Sequence, residues 1–222
     1  MGAIHRPFRS IIIGASVAAL IAVAGGAAAA SEQRLTYTVQ MSPYGNIGTY
    51  QSARQTNKDE ITITTEAHIK VSLAGIVLHR LEISRVERQI GDRLVHFHGV
   101  TVENGAPVEI DGKAVGGDFV ITTPSGTVTA PGTIRTIDPW SAGAPGTDMV
   151  FMPDTGAVTR VHTTGGEPTS VTIGGASIQA RRYQINCADG REQYEVWMDD
   201  RRTPVMFNIV DRDGTTTFTL VR

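Results

Sequence analysis

The stretch EITITTEAHIKVSL, residues 60–73, decides the fold class. Apolar and polar side chains alternate along it, with Ile61, Ile63, Ala67, Ile69, Val71 and Leu73 on one face and Thr62, Thr64, Glu66, His68, Lys70 and Ser72 on the other. A period of two residues is that of a β-strand, and no helix produces it. One buried face and one solvent-facing side are typical of antiparallel sheets, so the segment predicts a long antiparallel strand.

The segment that follows is predicted to pair with this strand as a hairpin. A connection of three residues sets Ile69 against Leu81 and Ala67 against Ile83, which extends one apolar face. A slip of one residue would set Ile69 against Arg80, so burial selects the first register.

A third strand is predicted over residues 93–102, after a two-residue turn at Gly91-Asp92. This register makes four cross-strand pairs on the same face: Val102 with Leu81, Val100 with Ile83, His98 with Arg85, and His96 with Glu87.

The rest of the chain after residue 31 has the same character. Segments rich in Val, Ile, Thr and Tyr are separated by turn signals such as Asn104-Gly105, Asp111-Gly112, Gly165-Gly166, Gly174-Gly175 and Asp213-Gly214. Strands at a spacing of ~8–12 residues predict a single all-β domain over residues 31–222. We expect an antiparallel meander that forms a partly open barrel or a two-sheet sandwich.

Residues 123–147 interrupt this pattern, because Pro, Gly, Ser and Thr dominate around Trp140. A loop of this length indicates either a lid over the sheet or a connector between two halves.

The N-terminal residues 1–30 predict a cleavable signal peptide. Arg6 and Arg9 precede an apolar run at 11–24, and Ala28-Ala29-Ala30 fits the small-x-small rule for cleavage. The alternative is an uncleaved membrane anchor, but spanning needs ~20 strongly apolar residues. Because Arg6 and Arg9 are not adjacent, the signal is of the Sec rather than the twin-arginine type. We expect a periplasmic protein that begins near Ser31 and has no membrane span after cleavage.

Composition excludes several classes of protein. Cys187 is the single cysteine, so no intramolecular disulfide forms, and its place on an apolar strand predicts a buried, inert thiol. The chain has 20 basic and 22 acidic residues, and two of the basic ones lie in the predicted signal. This mildly acidic balance argues against nucleic acid as a partner.

A set of turn and core residues resembles an uncharacterised family of exported bacterial proteins, one of the domain-of-unknown-function groups. The residues that carry the resemblance are Tyr37, Val39, Ile47-Gly48, Thr101, Asn104-Gly105, Trp140, Gly156, Ala180, Tyr183, Tyr194, Trp197, Asp199 and Asp213-Gly214. The resemblance spans about residues 34–221 and implies a fold rather than a chemistry. At the level of fold, the long meander is also similar to the open β-barrel of periplasmic lipoprotein carriers, which close their barrel with helices that the sequence after residue 31 does not predict here.

His96 and His98 form the strongest metal-like pattern, because residues i and i+2 of a strand point to the same side. Glu87 is the candidate third ligand. The alternative is that both histidines lie where the strand leaves the core and bind only water, Glu87 or Arg85. No second ligand pair is evident, so the sequence predicts no metal and no cofactor.

Other candidates have simpler explanations. Asp211-x-Asp213-Gly214 opens like a calcium loop, but three threonines follow where acidic ligands are needed, so it is interpreted as a hairpin turn. The aromatic residues Trp140, Tyr183, Tyr194 and Trp197 are either core residues or the lining of a ligand cavity. Nucleophile elbows, zinc-protease motifs and phosphate-binding glycine loops are missing from the sequence.

The sequence therefore favours a soluble periplasmic protein that binds or carries an apolar small molecule or lipid on a concave sheet face. Two alternatives remain open. One is a metal-dependent enzyme that uses His96 and His98. The other is an envelope assembly factor that pairs with a partner through a strand edge.

Overall fold

The computed structural model describes residues 31–141, 148–190 and 192–221. The predicted signal peptide and residues 142–147 of the predicted loop lie outside the described residues. The strands are β1 (Ser31–Met41), β2 (Gly45–Asn57), β3 (Glu60–Leu73), β4 (Ile76–Ile90), β5 (Arg93–Glu103), β6 (Ala106–Val115), β7 (Asp118–Thr123), β8 (Gly126–Pro131), β9 (Arg135–Thr136), β10 (Met149–Phe151), β11 (Val158–Ile173), β12 (Ala176–Cys187), β13 (Gln193–Met198), β14 (Pro204–Asp211) and β15 (Gly214–Leu220).

All fifteen strands belong to one sheet, and nearly all of them pair with their neighbours in sequence. The order runs from β8 back to β1, crosses to β15, and runs back again to β9. Every pair is antiparallel except β9 with β10. A single 3₁₀ turn at Pro139–Ser141 is the one helical element among the described residues. The predicted all-β antiparallel meander is confirmed.

The sheet is rolled so that its inner face contacts itself. Phe97 of β5 and Phe151 of β10 meet edge to face with ring centroids 4.9 Å apart. Ten strand spacings separate β5 from β10 in the sheet order, which would be about 48 Å in a flat sheet. Phe151 also stacks on Phe119 of β7 at 5.9 Å. The two ends of the sheet therefore overlap, and the single rolled sheet favours the barrel over the two-sheet sandwich.

One short segment links the two overlapping edges. Residues 132–141, here called the crossing segment, follow β8 and include β9 and the 3₁₀ turn. Ile134 is buried against Phe97 and Phe119, and Ile137 is buried in the larger core cluster beyond them. Trp140 Nε1 donates to Ser52 Oγ on β2 at 3.0 Å. The predicted loop at 123–147 thus contains β8, β9 and the 3₁₀ turn in its described part, and it both connects the sheet edges and covers the inner face.

The predicted register of β3 and β4 is confirmed. Ala67 pairs with Ile83 and Ile69 with Leu81. The turn has two residues, Ala74 and Gly75, instead of the predicted three. A bulge between Val71 and Ser72 then shifts the pairing by one residue, which gives the same register as a three-residue turn. Turn and bulge together restore the register that burial requires.

The predicted register of β4 and β5 is wrong beyond the first pairs. The two-residue turn forms as expected, with Ile90 opposite Arg93. A bulge between Arg88 and Gln89 then shifts the pairing by one residue, so Glu87 lies opposite Phe97 and Arg88 opposite His96. Because side chains alternate, this shift turns Phe97 inward and both histidines outward.

Two predicted turns are also wrong. Asp111-Gly112 lies inside β6, where a Cβ on Gly112 would come within 2.5 Å of Phe119 Cε1. This glycine is needed for close packing and not for a turn. Gly165-Gly166 forms a bulge inside β11, with φ values of 103° and 95°.

In the part of the chain that the structure describes, no helix is long and apolar enough to cross a membrane.

Candidate functional site

The inner face of the rolled sheet surrounds an apolar cavity of about 620 Å³. Its walls are the inward residues of β3 and β4 on one side and those of β13 to β15 on the other, and Ile137 of the crossing segment closes it from below. The apolar lining residues include Ala67, Ile69, Val71, Leu81, Ile83, Ile137, Ile185, Val196, Phe207, Ile209 and Phe218. The period-two pattern of residues 60–73 places three of these residues, Ala67, Ile69 and Val71.

The mouth of the cavity lies at the β3–β4 turn. Four apolar side chains that flank that turn are exposed: Leu73, Ile76, Val77 and Leu78, with exposed fractions from 46% to 66%. Leu78 also belongs to the cavity lining. An apolar surface therefore continues from the solvent-facing tip of the hairpin into the interior.

The floor of the cavity is polar. Thr136 Oγ1 on the crossing segment lies 2.6 Å from Glu87 Oε2 and 3.2 Å from Asp138 Oδ2. Asp138 Oδ1 also accepts the backbone N–H of Trp140 at 2.7 Å. Glu87 and Thr136 are both buried, whereas Asp138 lines the cavity. A chain of three polar side chains thus joins β4 to the crossing segment.

Burial, and after it the nearby Asp138 carboxylate, raise the pKa of the Glu87 carboxyl to about 8. The Thr136 hydroxyl and the Arg85 charge act in the opposite direction but do not outweigh burial. The geometry agrees with a protonated Glu87. The single Thr136 hydroxyl proton cannot serve two carboxylates, and a protonated Glu87 can donate to Thr136 while Thr136 donates to Asp138.

Arg85 is the positive charge of the floor. It lies two residues from Glu87 on the same face of β4 and lines the cavity. Its Nε is buried and has no hydrogen-bond partner. Among the described residues, no salt bridge to the guanidinium is found within 4.0 Å.

The opposite end of the cavity is acidic. Asp154, Glu192 and Asp211 line it near the mouth. Burial raises the pKa of Glu192, and the charges of Asp154 and Asp211 add to this effect. Tyr194 donates a hydrogen bond to Glu192. The cavity therefore has Arg85 and Asp138 at its floor and three carboxyls at its rim.

The model of a domain of unknown function, DUF6134, matches residues 37–221. This chain belongs to the DUF6134 family. That finding confirms the resemblance to an uncharacterised domain family. The fold of this DUF6134 chain is similar to a crystal structure described as a beta-barrel-like protein of domain of unknown function DUF1849 from Brucella abortus. The TM-score is 0.65 over 85% of this chain and 95% of that chain, and at 14% identity the likeness shows the fold alone. Among the curated proteins, no match was found.

A second, wider cavity of about 1210 Å³ opens at the other end of the DUF6134 barrel, by the β4–β5 turn. Four arginines line it: Arg54, Arg93, Arg135 and Arg202. Several of them are occupied. Arg93 Nη2 donates to the carbonyls of Gly116 and Asp118, and Arg54 lies over the Trp140 ring at 5.8 Å.

The candidate ligands His96, His98 and Glu87 are not brought together. His96 and His98 lie on the outer face, while Glu87 lies inside the barrel. His98 instead meets two outward residues of β6: its Nδ1 is 2.9 Å from Asp111 Oδ1 and 4.0 Å from Glu109 Oε1. These three could hold a metal ion, but Glu109 and Asp111 are exposed and His96 is not part of the group.

The four predicted aromatic residues divide between the two roles. Tyr194 lines the apolar cavity. Trp197 is buried in a separate cluster, Tyr183 packs against the main core, and Trp140 packs there while its ring faces the arginine-lined end. Core burial is the commoner role, as is typical of large aromatic side chains.

Cys187 and the Asp211 segment behave as the sequence predicts. Cys187 is buried, and burial raises the pKa of its thiol to about 11. Asp211 Oδ1 accepts the backbone N–H groups of Asp213 and Gly214, as a side chain in a hairpin turn does.

Sequence reasoning placed Arg85 and Glu87 on the apolar face but did not identify them as the floor of a site. Their inward direction could be predicted from the local sequence, because both follow Leu81 and Ile83 at alternate positions of one strand. Their partner Thr136 comes from a segment with no strand pattern, which the sequence could not bring to β4.

Proposed function

We propose that this chain is a periplasmic binding or carrier protein that holds an apolar ligand inside its rolled sheet. The observation that carries the proposal is the apolar cavity of about 620 Å³. Small-molecule sites are clefts of ~300–1,000 Å³ with mostly apolar walls and a few polar groups that orient the ligand. The aliphatic walls and the polar floor formed by Arg85 and Asp138 match that description.

The exposed hairpin tip supports entry at this end of the barrel. Four large apolar side chains at this tip are exposed to solvent: Leu73, Ile76, Val77 and Leu78. Exposed apolar patches mark surfaces that meet other apolar matter. A ligand that enters here stays in contact with apolar side chains from the tip to the cavity.

Export is the second part of the proposal and rests on the signal-like pattern of residues 1–30. A chain translocated by the Sec route crosses the membrane unfolded, so it acquires its ligand outside the cytoplasm.

Native mass spectrometry of the protein purified gently from its own periplasm tests the proposal. Extra mass of lipid type that disappears on denaturation would support it. A bare polypeptide mass that persists after incubation with lipid extract would contradict it and would favour an assembly factor that pairs through the edge of β8. A metal increment lost from a His98→Ala variant would instead favour a metal-dependent enzyme.

A further inference from the structure

We propose that the cavity selects single-chain amphiphiles with an anionic head group, and that Arg85 binds this head at the cavity floor. The inference rests on the proposed function and names its ligand class. A carboxylate and a phosphate monoester both provide the required chemistry, which is a compact anion on an alkyl chain.

A ligand that fills the cavity removes water from around Arg85. Arg85 lines the cavity, and its buried Nε has no hydrogen-bond partner. An apolar ligand displaces the water that solvates this side chain. A desolvated charge without a partner is strongly unfavourable, so a purely apolar ligand would bind poorly. A ligand that brings its own anion removes the penalty and gains a charge-assisted hydrogen bond.

Neighbouring groups leave Arg85 available. Asp138 already accepts hydrogen bonds from Thr136 and the Trp140 backbone. Burial keeps the pKa of Glu87 near 8, so this carboxyl is largely uncharged at neutral pH and does not neutralise the guanidinium.

Charge at the two ends of the cavity orients the ligand. Asp154, Glu192 and Asp211 line the mouth and repel an anion there. At the floor the lining carboxyl, Asp138, accepts hydrogen bonds from Thr136 and the Trp140 backbone, and Arg85 attracts the anion. The head group therefore lies innermost and the alkyl chain extends towards Leu78 at the mouth.

The length of the cavity sets the length of the chain. Arg85, Ile83, Leu81 and Leu78 line it along one strand. Arg85 and Leu78 are seven residue steps apart, which at roughly 3.3 Å each gives about 23 Å. An extended alkyl chain advances roughly 1.3 Å per carbon for bonds of about 1.5 Å, so a chain of up to about 18 carbons fits.

The test compares hexadecanoate, hexadecyl phosphate and hexadecan-1-ol by titration calorimetry on the delipidated mature protein at pH 7. We expect at least tenfold tighter binding of one or both anions than of the alcohol, and the stronger anion distinguishes carboxylate from phosphate. Arg85→Met should abolish this preference, because it weakens binding of the anions and tightens binding of the alcohol by removing the uncompensated charge, and Arg85→Lys should restore part of the preference. Arg88→Met is the matched control, because Arg88 lies on the outer face and pairs with Glu60.

Each other outcome overturns a distinct claim. Equal binding of acid and alcohol by the wild type would overturn the head-group inference but preserve the carrier. Binding of none of the three would overturn both. A loss of acid and alcohol binding together in Arg85→Met, with a lowered Tm, would give Arg85 a structural role. If that variant does not fold, the comparison of acid and alcohol on the wild type still decides the inference.

Discussion

Thr136 Oγ1 lies 2.6 Å from Glu87 Oε2, and this contact fastens the crossing segment to the inner face of β4. Both residues are buried, with exposed fractions of 1% and 4%. The contact separates the apolar cavity from the arginine-lined end of the barrel. A carboxyl at such a position affects stability through its protonation state.

Stability should fall as pH rises through the range in which Glu87 ionises. The pKa of Glu87 is about 8 in the folded protein against 4.5 for an unperturbed carboxyl, so the folded state binds the extra proton between these values. The free energy of unfolding therefore decreases from about pH 4.5 to about pH 8, where the loss is complete. Glu87→Gln keeps a neutral hydrogen-bonding group and should raise Tm above pH 8 while leaving it nearly unchanged at pH 5.

Thermal melts followed by circular dichroism at pH 5, 7 and 9 measure this effect. Glu82→Gln is the control, because it removes a carboxylate from the exposed outer face of the same strand. If Glu87→Gln melts below the wild type at pH 9, the ionised carboxylate stabilises the fold, and the raised pKa assigned to Glu87 is wrong.

Gly112→Ala should destabilise the fold by about 1–3 kcal/mol, the usual cost of an added methyl in a packed core. The new Cβ would come within 2.5 Å of the Phe119 ring and 3.3 Å of Phe97 Cβ. Gly117→Ala is the matched control, because nothing lies within 4 Å of its Cβ position. Urea titration of both variants measures the difference, and equal midpoints would show that the Phe119 ring moves aside freely.

The fold could be predicted from the sequence where apolar and polar residues alternate over a long, unbroken stretch. Residues 60–73 predicted a strand, its wet and dry faces, and its pairing with Leu81 and Ile83, because burial penalises any other register. The β4–β5 pairing failed at a single bulge between Arg88 and Gln89. A bulge changes the face of every later residue but adds no compositional signal, so His96 and His98 were placed on the wrong side.

The site was accessible only in part. Arg85 and Glu87 follow the period of β4, and their inward direction could be predicted. Thr136 and Ile137 reach the interior because β8 and β9 lie at opposite ends of the sheet order and are joined by residues 132–134. That rolling is a long-range property of the whole sheet, and no local pattern encodes it.

Cys187 should react slowly with thiol reagents in the native protein. It is buried, and desolvation with the charges of Asp189 and Glu192 raises the pKa of the thiol from 9.0 to about 11. The thiolate is the reactive form, so a thiol pKa that is higher by two units lowers the rate of labelling at pH 8 by about 100-fold. Limited access of the reagent lowers that rate further. Labelling with and without denaturant measures the ratio, and a ratio near one would show that this part of β12 opens readily.

Ile83→Trp should abolish binding of an alkyl ligand without unfolding the protein. Ile83 lines the cavity midway along β4, between Arg85 at the floor and Leu81 nearer the mouth, so a larger side chain there occupies the space of the alkyl chain. The cavity offers room for the indole, and little strain is expected from the substitution. We expect at least a tenfold loss of hexadecanoate affinity by calorimetry and a Tm close to that of the wild type.

Glu82→Trp adds the same ring to the outer face of the same strand and should bind as the wild type does. If both variants bind normally, the ligand occupies another surface. In that case the arginine-lined cavity beside Trp140 becomes the site to test.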